Sequence, residues 1–197
     1  MNKPFSQACE NNKGPILAVL QQYFADTQEV LEVGSGTGQH SVHFAAHLTH
    51  LQWHTSDRPI NHVGIQQWLD DAQLSNLHSP LTLDLNHDWP VETVEAIYTA
   101  NTLHIVSWQL VERFFAGVKQ HLAPAGIVCI YGPFKYQGQF TSESNQRFDE
   151  FLKQQDSQSG IRDIELITQL AQRAGFTLLS DNQMPANNQL LVFKRHA

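Results

Sequence analysis

Apolar residues recur along this chain in two alternating rhythms, one helical and one extended. Ile16, Val19, Leu20 and Tyr23 share a face of a helix predicted over Pro15 to Phe24, with Pro15 in its first turn. Glu29 to Val33 is a short β-rich run that stops at glycines. A helix is predicted over Gln39 to Leu48, a second strand over Leu51 to Thr55, a helix over Val63 to Gln73 and a third strand over Leu81 to Leu83. Ala96 to Thr99 is a fourth strand. Ser107 to Leu122 carries Val111, Phe114, Phe115, Val118 and Leu122 at helical spacing behind a good N-cap serine. Ala123-Pro-Ala-Gly126 is expected to stop that helix. Ile127 to Tyr131 follows as an apolar fifth strand, suited to burial on both faces.

The last third is more polar. Thr141 to Gln155 is predicted as a loop and a helix bearing Phe148, Phe151 and Leu152. Asp163 is expected to cap a helix that turns Leu166, Ile167, Leu170 and Ala174 inward and closes at Gly175. Phe176 to Leu179 and Leu190 to Phe193 then form an antiparallel hairpin around a long loop, Asp181 to Asn188. This alternation predicts an α/β fold. Its core is a doubly wound, mainly parallel seven-stranded sheet, Rossmann-like, with a C-terminal antiparallel hairpin. Ligands of such sheets bind beyond the carboxyl ends of the strands, where strand order reverses.

Composition narrows the class. The 197 residues suit one domain, and 41% hydrophobic content supports a packed core. No apolar run is long enough to span a bilayer, and Met1 to Lys13 lacks an apolar signal core. Two cysteines, Cys9 and Cys129, are too few for a disulfide scaffold, so a cytoplasmic location is expected. The 12 basic against 19 acidic residues disfavour nucleic acid and membrane surfaces as partners. Lys194, Arg195 and His196 make only a short basic tail. The expected partner is a small-molecule substrate; the oligomeric state is left open.

The chemistry concentrates at Glu32-Val-Gly34-Ser35-Gly36-Thr37-Gly38-Gln39, between a strand and a helix. Glycines there let the backbone turn and let a ligand approach the main chain, while the helix start offers free N–H groups. A dinucleotide fingerprint requires glycine at position 39, which is Gln. The spacing found, with an acid two residues before the first glycine, resembles motif I of class I methyltransferases and implies S-adenosylmethionine as cofactor. Asp57 ends the second strand, either as an acceptor for ribose hydroxyls or as a loop acid capping the next helix. Asp84 and Leu85 stand where a carboxylate meets the adenine amino group in many methyltransferases; a plain polar strand end is the alternative. Asn101-Thr-Leu-His104 follows the fourth strand, on the side where the methyl acceptor lies in this class. Asn101 is assigned to the cofactor, and His104 is a candidate general base because imidazole titrates near neutrality.

The 11 histidines raise the question of a metal. His40, His43 and His47 have helical spacing, but no cysteine or nearby Glu completes a motif. A solvated helix face is expected, and no metal site.

The segments Ser6-Gln-Ala-Cys-Glu10-Asn-Asn12-Lys13, Gly34 to His40, Trp53 to Asp57, Tyr131-Gly-Pro-Phe134, Ser144-Asn145, Gly160-Ile-Arg162-Asp163 and Met184-Pro-Ala-Asn187-Asn188 resemble those of a family of methyltransferase-like proteins. It is the methyltransferase-like protein 26 family, labelled as a domain of unknown function. The resemblance runs nearly the full length and implies the class I fold and S-adenosylmethionine binding, with no substrate. The chain departs from the family pattern at Gln7, where the family has Pro, and at Asn11, where it has Arg.

Asn12, Lys13, Asn145, Asn187 and Asn188 are expected above the carboxyl edge of the sheet as substrate contacts, with Tyr131 and Arg162 beside His104 as catalytic groups. Lys13 and Arg162 suit an acidic group on the acceptor. The same asparagines suit loop bracing equally. The first expectation is thus a small-molecule methyltransferase that works through proximity and desolvation. Against it stand a non-catalytic binding module of the same fold and an NAD(P)-dependent reductase. The reductase is disfavoured by Gln39 in place of the third glycine.

Overall fold

A computed structural model describes residues 3–196, so the first two residues of the Met1–Lys13 segment lie outside the described residues. Its centre is a seven-stranded sheet. The strands are β1 (Glu29–Val33), β2 (Gln52–Asp57), β3 (Leu77–Thr82), β4 (Val94–Ala100), β5 (Leu122–Gly132), β9 (Phe176–Met184) and β10 (Asn188–Arg195). They lie in the order β3-β2-β1-β4-β5-β10-β9. The first five run parallel; β10 enters antiparallel between β5 and β9. Strand order reverses between β1 and β4, which opens the crevice where ligands of such sheets bind.

Apolar side chains on both sides explain the continuous apolar runs of the central strands. Leu31, Val33, Ile97, Val128 and Ile130 pack with Phe114 and Val118 of α4 (Trp108–His121) and with Ile167 and Ala171 of α6 (Ile164–Ala174). Val30, Tyr98, Cys129 and Tyr131 pack on the opposite face with Leu20 of α1 (Gln7–Tyr23) and Phe44 of α2 (Gln39–His47). The remaining helices are α3 (Pro59–Ala72) and α5 (Glu143–Gln155). No helix among the described residues is long and apolar enough to cross a membrane.

Several boundaries differ from the sequence expectation for identifiable reasons. Helix α1 begins at Gln7, capped by the Ser6 hydroxyl, and Pro15 lies inside it. The added turns are polar because they rest on Gln39 and His40 rather than on the core, so apolar periodicity misses them. Ala123-Pro-Ala-Gly126 lies within β5. The ladder register shifts there, and Ala125 has φ 61°. The expected long loop before β10 is a tight turn over Pro185–Asn187, with Ala186 and Asn187 at φ 58° and 57°. Leu166 is 47% exposed instead of inward, because Ile164, Ile167 and Ala171 supply the buried stripe. Asp163 occupies the N-cap of α6, but its carboxylate instead accepts from Gly138 N–H and pairs with Lys135. Lys194 and Arg195 are not a tail; they belong to β10, and the Arg195 guanidinium donates to the Leu122 carbonyl. A second, three-stranded sheet was not foreseen: β7 (Gln139–Phe140), β6 (Phe134–Tyr136) and β8 (Arg162–Asp163), in that order.

Phe114 is fully buried between sheet and helices. Phe114→Ala is expected to lower the unfolding free energy by about 3–5 kcal/mol, read from urea denaturation. A loss below about 1 kcal/mol would mean that this face of the sheet is not the packed core.

Candidate functional site

A cavity of about 650 Å³ lies over the carboxyl ends of β1, β2 and β4. The loop after β1 forms its floor. Gly34, Gly36 and Gly38 have φ of 78°, 59° and 87°, values that L side chains adopt only with strain. At Gly34 a Cβ would stand 3.0 Å from Thr102 Oγ1, so the loop after β4 closes tightly against it. At Gly36 a Cβ would meet nothing within 4 Å. The main chain there faces open cleft, the arrangement a ligand needs to approach it closely.

Three carboxylates ring this floor. Asp57 Oδ2 accepts from Gly36 N–H at 2.8 Å, while Oδ1 accepts from Arg58 N–H and the Asn61 amide at 2.7 and 2.8 Å. Asp57 therefore shapes the glycine loop itself. Asp84 accepts from Asn86 N–H at 2.8 Å, and that bond holds its carboxyl below the usual range. Glu32 is only 2% exposed. Its Oε2 accepts from Trp53 Nε1–H at 2.9 Å and from the Ser41 hydroxyl. Among the described residues no cation pairs with it, and burial pushes its carboxyl pKa up, the nearby Asp57 adding to the effect. A carboxylate lining a cleft without a protein counter-ion is a ready place for a cationic ligand.

Glu32, Gly34, Ser35, Gly36, Thr37, Asp57, Asp84, Leu85 and Asn101 all line this cavity. Gly38 and Gln39 do not. Gly38 is the left-handed N-cap of α2, and the Gln39 amide turns away toward α1. Its Oε1 accepts from Ser6 N–H at 2.5 Å, while Nε2 donates to Ser6 O at 3.3 Å and to Glu10 Oε1 at 2.8 Å. The residue that breaks the dinucleotide spacing is thus the clasp for the N-terminal helix. That helix adds Ser6 and Cys9 to the cavity wall, which the sequence reading missed because their segment is polar. Both Cys9 and Cys129 are free thiols.

The expected catalytic residues lie outside this cavity. Arg162 does not reach the cleft: its guanidinium donates to the carbonyls of Leu103, Val106 and Gln158, and so braces the loop after β4 from behind. His104 is 5% exposed and its pKa is lowered to about 4 by burial and then by the Arg162 charge. It is neutral at physiological pH and does not titrate near neutrality. Tyr131 is buried, which raises its pKa, while the Asn12 and Asn188 amides hydrogen-bond to its phenol oxygen and pull the other way. Tyr131 and Lys135 have Tyr-x-x-x-Lys spacing but sit on β5 and β6, and Lys135 pairs with Asp163 at 3.3 Å.

The expected substrate contacts are engaged with the protein. Asn12 Oδ1 accepts from His40 Nε2–H at 2.7 Å, and Lys13 pairs with Glu10. Asn145 Nδ2 donates to Thr141 Oγ1 and to Asn187 O, both at 2.9 Å. Asn187 donates to Ser144 Oγ at 3.4 Å, and Asn188 to Pro185 O at 3.2 Å. His40 corrects the expected solvated helix face. It is buried against Phe44 and Tyr98, and desolvation lowers its pKa to about 4. Among the described residues no three His, Cys, Asp or Glu side chains gather as metal ligands.

Sheet order and cleft together define the class I methyltransferase fold, and solved structures agree. The O-methyltransferase family 2 protein from Planctomyces limnophilus, solved with apigenin, is similar over 95% of this chain and 57% of its own, with TM-score 0.84 and 14% identity. The mitomycin 7-O-methyltransferase MmcR is similar over 95% of this chain and 54% of its own (TM-score 0.83, 14% identity). The S-adenosylmethionine-dependent methyltransferase SibL is similar over 96% and 56% (TM-score 0.80, 18% identity). The chain thus spans little more than half the length of these structures. It belongs to the family described as "Protein of unknown function (DUF938)", whose profile matches residues 3–195.

Gln39→Ala removes the clasp and is expected to free the first two turns of α1. Amide hydrogen exchange at residues 7–13 should accelerate roughly tenfold or more, in line with about 1.5–3 kcal/mol for hydrogen bonds involving a charged group. Unchanged protection would show that packing alone holds the helix.

Proposed function

We propose that this protein is an S-adenosylmethionine-dependent methyltransferase acting on a small molecule. The observation that carries this reading is Glu32, a buried carboxylate facing the cleft with no protein cation to pair it. The residues fit the cofactor. Gly36 leaves the main chain open, Asp57 and Asp84 each keep acceptor capacity toward the cleft for hydroxyl or amino groups, and Leu85 lies beside them as an apolar wall. The cofactor supplies an already activated methyl group, so the protein's part is to bind, orient and exclude water. The likeness to O-methyltransferases supports a hydroxyl as methyl acceptor. Motif segments such as Gly34 to His40 support the narrower kinship with methyltransferase-like protein 26, and the free thiols support work in the cytoplasm.

An uncharged acceptor fits better than an acidic one. Glu32, Asp57, Asp84 and Asp156 line the cavity against the single cation Arg58, while Lys13 and Arg162 are committed to Glu10 and to backbone carbonyls. A carboxylate entering this field would be repelled.

Calorimetry with S-adenosylhomocysteine is expected to give low micromolar affinity, about −8 kcal/mol. Tighter binding of NADH would overturn the assignment, and transfer of a labelled methyl group separates an enzyme from a binding module. Gly36→Val should abolish this binding while the chain stays folded, because the new side chain fills open cleft; normal affinity would place the ligand elsewhere. Binding should also depend on pH through Glu32. Pairing a cation requires the carboxylate, so affinity rises as pH climbs through the elevated pKa and falls below it. The ligand-free protein behaves in the opposite sense. Because the folded-state pKa is raised, its stability declines from the ordinary carboxylate range up through that value. Affinity independent of pH would mean that Glu32 is not the ionic contact.

A further inference from the structure

Beyond the cofactor cleft, two buried polar side chains at the carboxyl end of β5 lack protein partners. Gln189, the second residue of β10, is 7% exposed, and its fully buried Oε1 has no hydrogen-bond partner among the described residues. The His104 ring likewise has no hydrogen bond to the described residues; burial and the Arg162 charge alone perturb it.

The two lie on the same face of the sheet. Gln189 stands directly opposite Gly132 in the antiparallel ladder, so both project to the same face of the sheet, with Cβ positions about 4.5–5.5 Å apart. A Cβ on Gly132 would lie 3.4 Å from His104 Nδ1. The imidazole therefore stands over the bare Gly132 backbone, on the face from which Gln189 also projects. Phe148 packs on His104 in an edge-to-face arrangement, ring centroids 5.4 Å apart. Leaving a buried amide oxygen unpaired costs stability, and folded chains rarely keep such groups without a use.

The chemistry restricts the occupant. The Gln189 oxygen only accepts. Neutral imidazole offers one N–H and one lone pair. The Arg162 charge nearby disfavours a cation, and a carboxylate, which only accepts, cannot satisfy the Gln189 oxygen. An uncharged hydroxyl satisfies both sides: it donates to Gln189 Oε1 and accepts from the His104 N–H. We propose that His104 and Gln189 form a recognition subsite for an uncharged hydroxyl of the small-molecule substrate, separate from the atom that is methylated. The word substrate rests on the methyltransferase reading; the subsite does not.

The test uses the full-length protein, with and without S-adenosylhomocysteine, and phenol as the probe. Nitrogen-15 NMR of the His104 ring follows the titration, with benzoate as the charged control. Phenol is expected to shift the His104 ring signals saturably, and benzoate to bind at least tenfold more weakly. Gln189→Leu should raise the melting temperature, weaken phenol at least tenfold and leave S-adenosylhomocysteine affinity unchanged. If phenol leaves the His104 signals unmoved, or binds Gln189→Leu as it binds the wild type, the pair holds ordered water only and the proposal falls. A lower melting temperature for Gln189→Leu would also overturn it, since the amide would then be structural. Failure of S-adenosylhomocysteine to bind the wild type, with the phenol response intact, would sink the methyltransferase reading and spare the subsite.

Discussion

A carboxylate taken out of water without a counter-ion is expensive, and this fold keeps one at the end of its first strand. Glu32 stands where strand order reverses, between Ser41 of α2 and Trp53 of β2. The neutral donors Ser41, Trp53 and Ser35 soften its burial, but no counter-ion offsets it among the described residues. Its elevated pKa records the deficit. On the proposed reading, a cationic ligand in the cleft would offset that deficit, which ties Glu32 to what binds.

The surroundings keep this arrangement rigid. Asp57 holds the glycine loop through Gly36 N–H, and the Thr102 hydroxyl abuts the same loop at Gly34. Arg162 holds the loop after β4 by its carbonyls. The N-terminal helix closes one wall chiefly through Gln39, whose amide pairs with the backbone of Ser6 much as a neighbouring strand would, with Asn12 on His40 beside it. Each of these braces uses a polar side chain that a sequence search for active-site chemistry would assign to ligand or catalysis. Polar groups near a cleft thus divide into those that face the ligand and those that hold the wall.

That division explains what the sequence made legible. Strand β1 matches its expected span, and Ser107 caps α4 as its position predicts, because both depend on local pattern and buried apolar faces. The glycine loop was legible from its spacing, and Asp57 and Asp84 from their places at strand ends together with the likeness to class I methyltransferases. Other features depend on distant partners and left no local trace. The first turns of α1 are polar because they lie on Gln39 and His40 rather than on the core. The strands of the small sheet, β6 to β8, are two or three residues long, too short for periodicity. Arg162 resembled a substrate cation until its guanidinium was found on carbonyls, and nothing around Gln189 in the sequence marks it as an orphan. The burial of His40 follows from Phe44 and Tyr98 closing over it, a tertiary effect.

Recognition of a positive charge through Glu32 is open to a direct test. Glu32→Gln keeps the shape and removes the charge. Thermal unfolding of the free variant and calorimetry with S-adenosylmethionine, on the same sample, test the claim most directly. The expected result is a melting temperature equal to or above that of the wild type, with affinity reduced roughly tenfold or more, the scale of one charge-assisted contact. Unchanged affinity, or a free protein that melts earlier, would contradict it: Glu32 would then be a structural acid, and the cleft's ligand would owe nothing to its charge.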